Sequence, residues 1–120
     1  MDELKKIFEE QKEFQLFFYD PDRMSIEEKV AMSKEYFLSA TRELGEALNV
    51  LPWKSHRKYD NKEINLPEFR EELIDVIKFV LNLYVIWGVS ADDFVSDFFA
   101  KSAKVRSRLE AEKEHVKTLK

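Results

Sequence analysis

Two short acidic pairs, Glu43-x-x-Glu46 and Glu72-x-x-Asp75, have the residue types and spacing best suited to chemistry in this chain. A three-residue interval within a helix puts both carboxylates of a pair on one face, about a turn apart. Acids at that spacing are common on solvated helices, so the surroundings decide. Asp75 stands in Leu73-Ile74-Asp75-Val76-Ile77-Lys78-Phe79-Val80-Leu81, a run apolar almost all the way round. Such a helix is normally buried, and a carboxylate is rarely buried without a partner. The pattern calls for a compensating cation at Asp75, and a metal shared with the other acids meets that need. If the two segments pack antiparallel, four carboxylates converge on one small volume, where some must protonate unless a cation lies among them. Oxygen-only ligation, with neither His nor Cys, favours a hard ion: Mg²⁺, with Mn²⁺ as a substitute, over zinc. Mg²⁺ completes its shell with water and substrate phosphates, which points to hydrolysis of a phosphate-bearing substrate.

The basic residues fit the same chemistry. Lys101, Lys104 and Arg108 form one cationic face of a predicted last helix, and Lys54, Arg57 and Lys58 add charge in a loop. No glycine-rich phosphate loop is present, so side chains and metal would have to hold the phosphates. Trp53, seven residues after Glu46, offers a flat surface for a nucleobase, as do Tyr59 and Tyr84.

The elements that must position these residues are helices. The chain has 120 residues, two glycines, three prolines and no cysteine, so one domain built from long helices, without disulfides or thiolate chemistry, is expected over residues 1–120. A first amphipathic helix over 2–19 carries Leu4, Ile7, Phe8, Gln11, Phe14 and Phe18 on one side and ends at Asp20-Pro21. Ser25-Ile26-Glu27-Glu28 is a capping-box pattern that starts a second helix, running to about Val50. That helix has a row of large residues (Val30, Phe37, Leu44, Leu51) beside a row of mostly small ones (Ile26, Ser33, Ala40, Ala47). Pro67 opens the third helix and Gly88 closes it. Ser90 caps the fourth, whose buried side is expected to hold Phe94, Val95, Phe98, Phe99 and Leu109. Residues of about 110–120 read as a charged helical extension or frayed tail.

The expected fold is an all-α bundle of four to five helices. Its third helix is too apolar for a lone small core, which predicts a homo-oligomer assembled through that helix. A net charge of −4 with interspersed signs argues against a nucleic-acid partner. The longest apolar run is too short to span a membrane, and the N-terminus lacks the apolar stretch of a signal peptide. A soluble, cytoplasmic protein is expected.

Glu43-Leu44-Gly45-Glu46, then Pro52-Trp53-Lys54, then Glu71-Glu72-Leu73-Ile74-Asp75-Val76-Ile77-Lys78-Phe79 resembles the all-α nucleoside triphosphate pyrophosphohydrolases. That superfamily includes dimeric dUTPases, dCTP pyrophosphatases and MazG proteins, and the dimeric dUTPase branch looks closest. Gln11-Lys12-Glu13-Phe14 is similar to its first motif, and Phe98-x-x-Lys101 followed by Arg108 to its last. The resemblance implies attack of water on the α-phosphorus of a deoxynucleoside triphosphate, with dUTP the leading substrate, by a homodimer or homotetramer. It implies Mg²⁺ held by Glu46, Glu72 and Asp75, with Glu43 either a further ligand or the group that orients and deprotonates the water. Lys101 and Arg108 would bind phosphates, and Gln11 and Trp53 would face the base. Val105 stands where the branch usually has an asparagine, and Phe98 where it has a tyrosine, so a dCTP or broader, MazG-like pyrophosphatase is the alternative. A non-catalytic helical interaction domain is the alternative of another class.

Overall fold

A computed structural model describes residues 2–54 and 63–119. Arg57, Lys58 and Tyr59 lie outside the described residues. The described residues form four helices, α1 (Asp2–Leu16), α2 (Ile26–Val50), α3 (Leu66–Ile86) and α4 (Ala91–Thr118), with a 3₁₀ turn at Pro21–Arg23 between the first two. No strand occurs among the described residues, and the domain is all-α, as expected.

The helix ends follow local chemistry. At α2 the Ser25 hydroxyl accepts from the Glu28 N–H while the Glu28 carboxylate accepts from the Ser25 N–H. Ser90 and Asp93 repeat this box at α4, and the Asn65 side chain accepts from the Glu68 N–H ahead of Pro67 in α3. Each device answers N–H groups that a helix start leaves without partners. α3 ends where Gly88 takes φ 69°, a conformation that favours glycine because it has no Cβ. The Val89 N–H reaches the Tyr84 carbonyl and the Gly88 N–H the Val85 carbonyl, the two bonds of a Schellman cap. α1 stops at Leu16, three residues short of the expected end, and the chain tightens as the Phe17 N–H bonds to the Phe14 carbonyl.

α3 is the central helix, and both neighbours run antiparallel to it. Along α2, Tyr36 lies against Phe79, and Ser33 accepts a 2.8 Å hydrogen bond from the Trp87 indole. Along α1, Phe8 lies against Tyr84, Gln11 against Asn82, and Phe14 beneath Lys78. In both cases falling numbers on one helix meet rising numbers on α3.

The row of α2 that faces α3 is the small one. Ser33, Ala40 and Ala47 are buried, whereas Val30, Phe37 and Leu44 are exposed, Phe37 to 62%. Small side chains let the helix axes approach and leave room for the bulk of α3. Ala40→Leu is therefore expected to overpack this seam and cost about 1–3 kcal/mol, measured as a lower urea midpoint with unchanged slope. A midpoint equal to the parent's would mean that the seam has slack.

One expectation about the core is corrected here. Phe98, Phe99 and Leu109, expected inside, are 57%, 66% and 59% exposed. α4 turns away from α3 by 108°, so only its start is packed: Ala91 is buried and Phe94 sits against Phe8 and Tyr84, with ring centroids 5.8 and 5.3 Å apart. On α3, Val76, Leu81, Val85 and Ile86 are buried within the protomer, while Leu73, Ile74 and Ile77 are exposed. Exposed apolar side chains also stand on α2 and α4. The radius of gyration is 19.3 Å, against about 14 Å for a compact chain of this length. No single helix among the described residues is long and apolar enough to cross a membrane.

Candidate functional site

Antiparallel pairing of α2 with α3 brings the two acidic motifs together. Carboxylate oxygens of Glu43, Glu46 and Glu72 all lie within 4.8 Å of one another. Asp75, one turn further along α3, is close enough to act on Glu43 and Glu72 through its charge. Glu43, Glu72 and Asp75 are partly buried and Glu46 is exposed.

The electrostatics are those of a site crowded with like charge. A hydrogen bond with Glu46 holds the Glu43 carboxyl above the ordinary glutamate value. Burial and the charges of Glu46 and Asp75 push it the same way, and only Arg42 opposes them. The Arg42 guanidinium lies 3.7 Å from a Glu43 oxygen but is itself largely solvated, so it offsets little. Burial raises Glu72 as well, followed by the charges of Glu46, Asp75, Glu68 and Glu71. One Glu72 oxygen, Oε2, is buried with no hydrogen-bond partner. A buried carboxylate oxygen without a donor is costly. Together with an all-oxygen donor set, it fits a hard divalent cation bound among Glu43, Glu46, Glu72 and Asp75.

Two cavities open from this cluster. One, of about 460 Å³, is lined by Glu46 and Glu72 and also by Asn49, Glu63, Asn65 and Glu68. The other, of about 720 Å³, lies among α1, α2 and α3; Asp75, Lys78, Phe79 and Asn82 line it from α3, Gln11 and Gln15 from α1, and Tyr36 from α2, with Tyr19 beside them. There the Gln11 amide donates a 2.6 Å hydrogen bond to the Asn82 Oδ1, and the Gln15 amide donates to the Asn82 carbonyl at 3.1 Å. Gln15 Oε1 and the Tyr19 hydroxyl are buried and unpartnered. Apolar walls with a few convergent polar groups are the usual make-up of a small-molecule pocket.

Not every expected residue joins this arrangement. Gln11 lines the larger cavity, but Trp53 does not; its indole N–H donates to Asn49 at 3.1 Å and the Lys54 ammonium rests over its ring. Lys101, Lys104 and Arg108 are exposed on α4 and line neither cavity. Lys101 is ten residues into a helix that leaves α3 at 108°; at 1.5 Å per residue its backbone lies roughly 20 Å from that of Asp75. Within one protomer these cations do not reach the acids. The sequence reading also missed Asn82, Lys78 and Gln15. Asp75, Phe79 and Asn82 recur at helical spacing on one face of α3, and that signal could have found Asn82.

The family model described as dUTPase matches residues 3–118 of the chain. No curated protein and no solved structure matches it. The chain belongs to the dUTPase family, within the all-helical superfamily that its acidic motifs resemble, and its substrate class is accordingly a nucleotide.

Proposed function

We propose that the protein is a Mg²⁺-dependent nucleoside triphosphate pyrophosphohydrolase that splits dUTP into dUMP and pyrophosphate. The observation that carries this reading is the layout of α3. Its Glu72 meets Glu43 and Glu46 of α2, and its Asp75, beside that cluster, lines the cavity that also holds the Gln11–Asn82 amide pair. Asp75 and Asn82 are seven residues apart, about 10 Å along a helix axis, a length that suits a nucleotide with its base at the amides and its phosphates at the acids. Phe79, between them on the same face, supplies a surface for the base or sugar.

In this reading Glu46, Glu72 and Asp75 hold the ion, and Glu43 holds it or accepts a proton. Bound Mg²⁺ would offset the carboxylate charge and polarise the phosphate oxygens. Glu43, partly buried beside Glu46 and within reach of the Asp75 charge, is placed to accept a proton. As the water oxygen bonds to the α-phosphorus and the bridging oxygen leaves with pyrophosphate, one water proton passes to the Glu43 carboxylate. Gln11 and Asn82 read the base edge. Lys101, Lys104 and Arg108 can serve the triphosphate only from a second copy, so a homodimer or homotetramer belongs to the proposal, as does a cytoplasmic location. Trp53, hydrogen-bonded to Asn49 of the acidic cavity, and Lys54 over its ring would act at the rim of that cavity.

A second reading, dCTP as substrate, is favoured by the same amide pair. Primary amides carry both donors and acceptors, and a joint flip of Gln11 and Asn82 would present the complementary pattern. The test is pyrophosphate release from dUTP, dCTP, dTTP, dATP, dGTP and the ribonucleotides, with and without Mg²⁺. Mg²⁺-dependent release confined to dUTP is expected. Release from dCTP or several bases would retain the chemistry and change the specificity. No release from any of them would favour a non-catalytic interaction domain.

A further inference from the structure

We infer that Lys78 binds the α-phosphate of the nucleotide; this rests on the reading just proposed and adds a substrate-contacting residue to it. Lys78 lies between the acids and the amide pair, three residues after Asp75 and four before Asn82, and all three line the same cavity. That is where the α-phosphate of a nucleotide spanning the two ends has to pass.

No described acid pairs with the Lys78 ammonium, although Glu3 and Glu10 share a second cavity with Lys78. Among the residues lining the larger cavity Lys78 carries the only positive charge, and it makes no ion pair with Asp75, one turn away. Its ammonium rests instead 4.7 Å from the centre of the Phe14 ring, a contact that orients a cation without neutralising it. An ammonium on a half-buried residue, held over one aromatic ring and lacking an anion, is arranged to receive one. Within the protomer the cations of α4 lie too far along a diverging helix to take its place.

The chemistry needs a fixed positive donor at that point. As the water oxygen closes on the α-phosphorus and the bond to the bridging oxygen lengthens, charge moves over the non-bridging oxygens. A preplaced donor stabilises that charge without reorganisation. Lys78 keeps its proton throughout and gives hydrogen bonds only; the water proton goes to Glu43, and the electron pair of the broken bond leaves with pyrophosphate.

The contrary account is that Lys78 merely lays its stem over Phe14. Lys78→Met keeps the stem and drops the charge, while Lys78→Arg keeps the charge. With Mg²⁺ present, Lys78→Met is expected to lose roughly tenfold or more in kcat/KM for dUTP, the size of one charge-assisted hydrogen bond. It should weaken dUMP as a competitive inhibitor by a similar factor and leave deoxyuridine, which lacks the phosphate, unchanged. Lys78→Arg should recover most of the loss. Lys78→Gln, polar and uncharged, gives the same readout should the methionine variant fold poorly. Unchanged kcat/KM in a neutral variant, or equal weakening of dUMP and deoxyuridine, would overturn the assignment while leaving the enzyme reading intact. A parent chain that hydrolyses no nucleotide overturns both, and is told apart by the parent's own result.

Discussion

Glu72→Gln is expected to lose at least about 100-fold in kcat/KM with Mg²⁺, several kcal/mol of lost metal and charge stabilisation, while its metal-free form melts at a higher temperature than the parent. The two effects have one cause. Glu72 is raised by burial and by the acids around it, and its Oε2 is buried without a donor. Its charge therefore opposes folding when no cation is bound. The sign follows from linkage: a carboxyl whose folded pKa lies above its unfolded value favours folding most below the unfolded value. That contribution is lost as pH rises through the folded value. The metal-free parent should thus lose stability from near pH 4.5 upward through the raised pKa values of Glu72 and Glu43, and Glu72→Gln should flatten that decline. Mg²⁺ should restore the parent and not the variant, because a ligand that binds only the folded state stabilises it. Thermal melts from pH 4 to pH 8, with and without Mg²⁺, check this. A variant that melts below the parent at pH 8 without metal would show that Glu72 is held by a favourable contact.

Phe37→Glu combined with Leu44→Glu is expected to turn an oligomer into monomers. The protomer exposes 9871 Å², about 3,000 Å² more than a compact chain of its mass. Part of that excess is apolar and ordered: Val30, Phe37 and Leu44 recur every seven residues on α2, and Phe98, Val105, Leu109 and Val116 line one side of α4. Covering a large apolar side chain is worth about 1.5–3 kcal/mol, and in a two-fold assembly each position counts twice. Two buried glutamates should weaken association by well over about 100-fold. Light scattering at micromolar concentration should give a multiple of the 14.3 kDa chain mass for the parent and the single mass for the variant. A monomeric parent would remove the oligomer from the proposal, and with it the route by which Lys101, Lys104 and Arg108 reach the acids.

Much of this molecule is legible from its residues in order. The starts of α2, α3 and α4 follow from Ser25-x-x-Glu28, Asn65 with Pro67, and Ser90-x-x-Asp93, and the end of α3 from Gly88. Each is a contact within one turn of backbone, so local chemistry is sufficient. The acidic pairs are legible for the same reason, since a three-residue interval on a helix has one geometric meaning.

What lay beyond reach depended on partners distant in the chain. Both rows of α2 are apolar enough to face inward; the bulk of α3 selects the small one and turns Phe37 and Leu44 outward. Phe98 and Phe99 read as core until the direction of α4 is known, and that direction comes from how Phe94 seats between Phe8 and Tyr84. Asn82 and Lys78 gain meaning only when α1 brings Gln11 and Phe14 to them across about seventy residues of chain. Residue types and local spacing determined the helices and the acids. The tertiary structure decided which faces meet, because close packing is settled by the shape of both surfaces and a sequence pattern displays them one at a time.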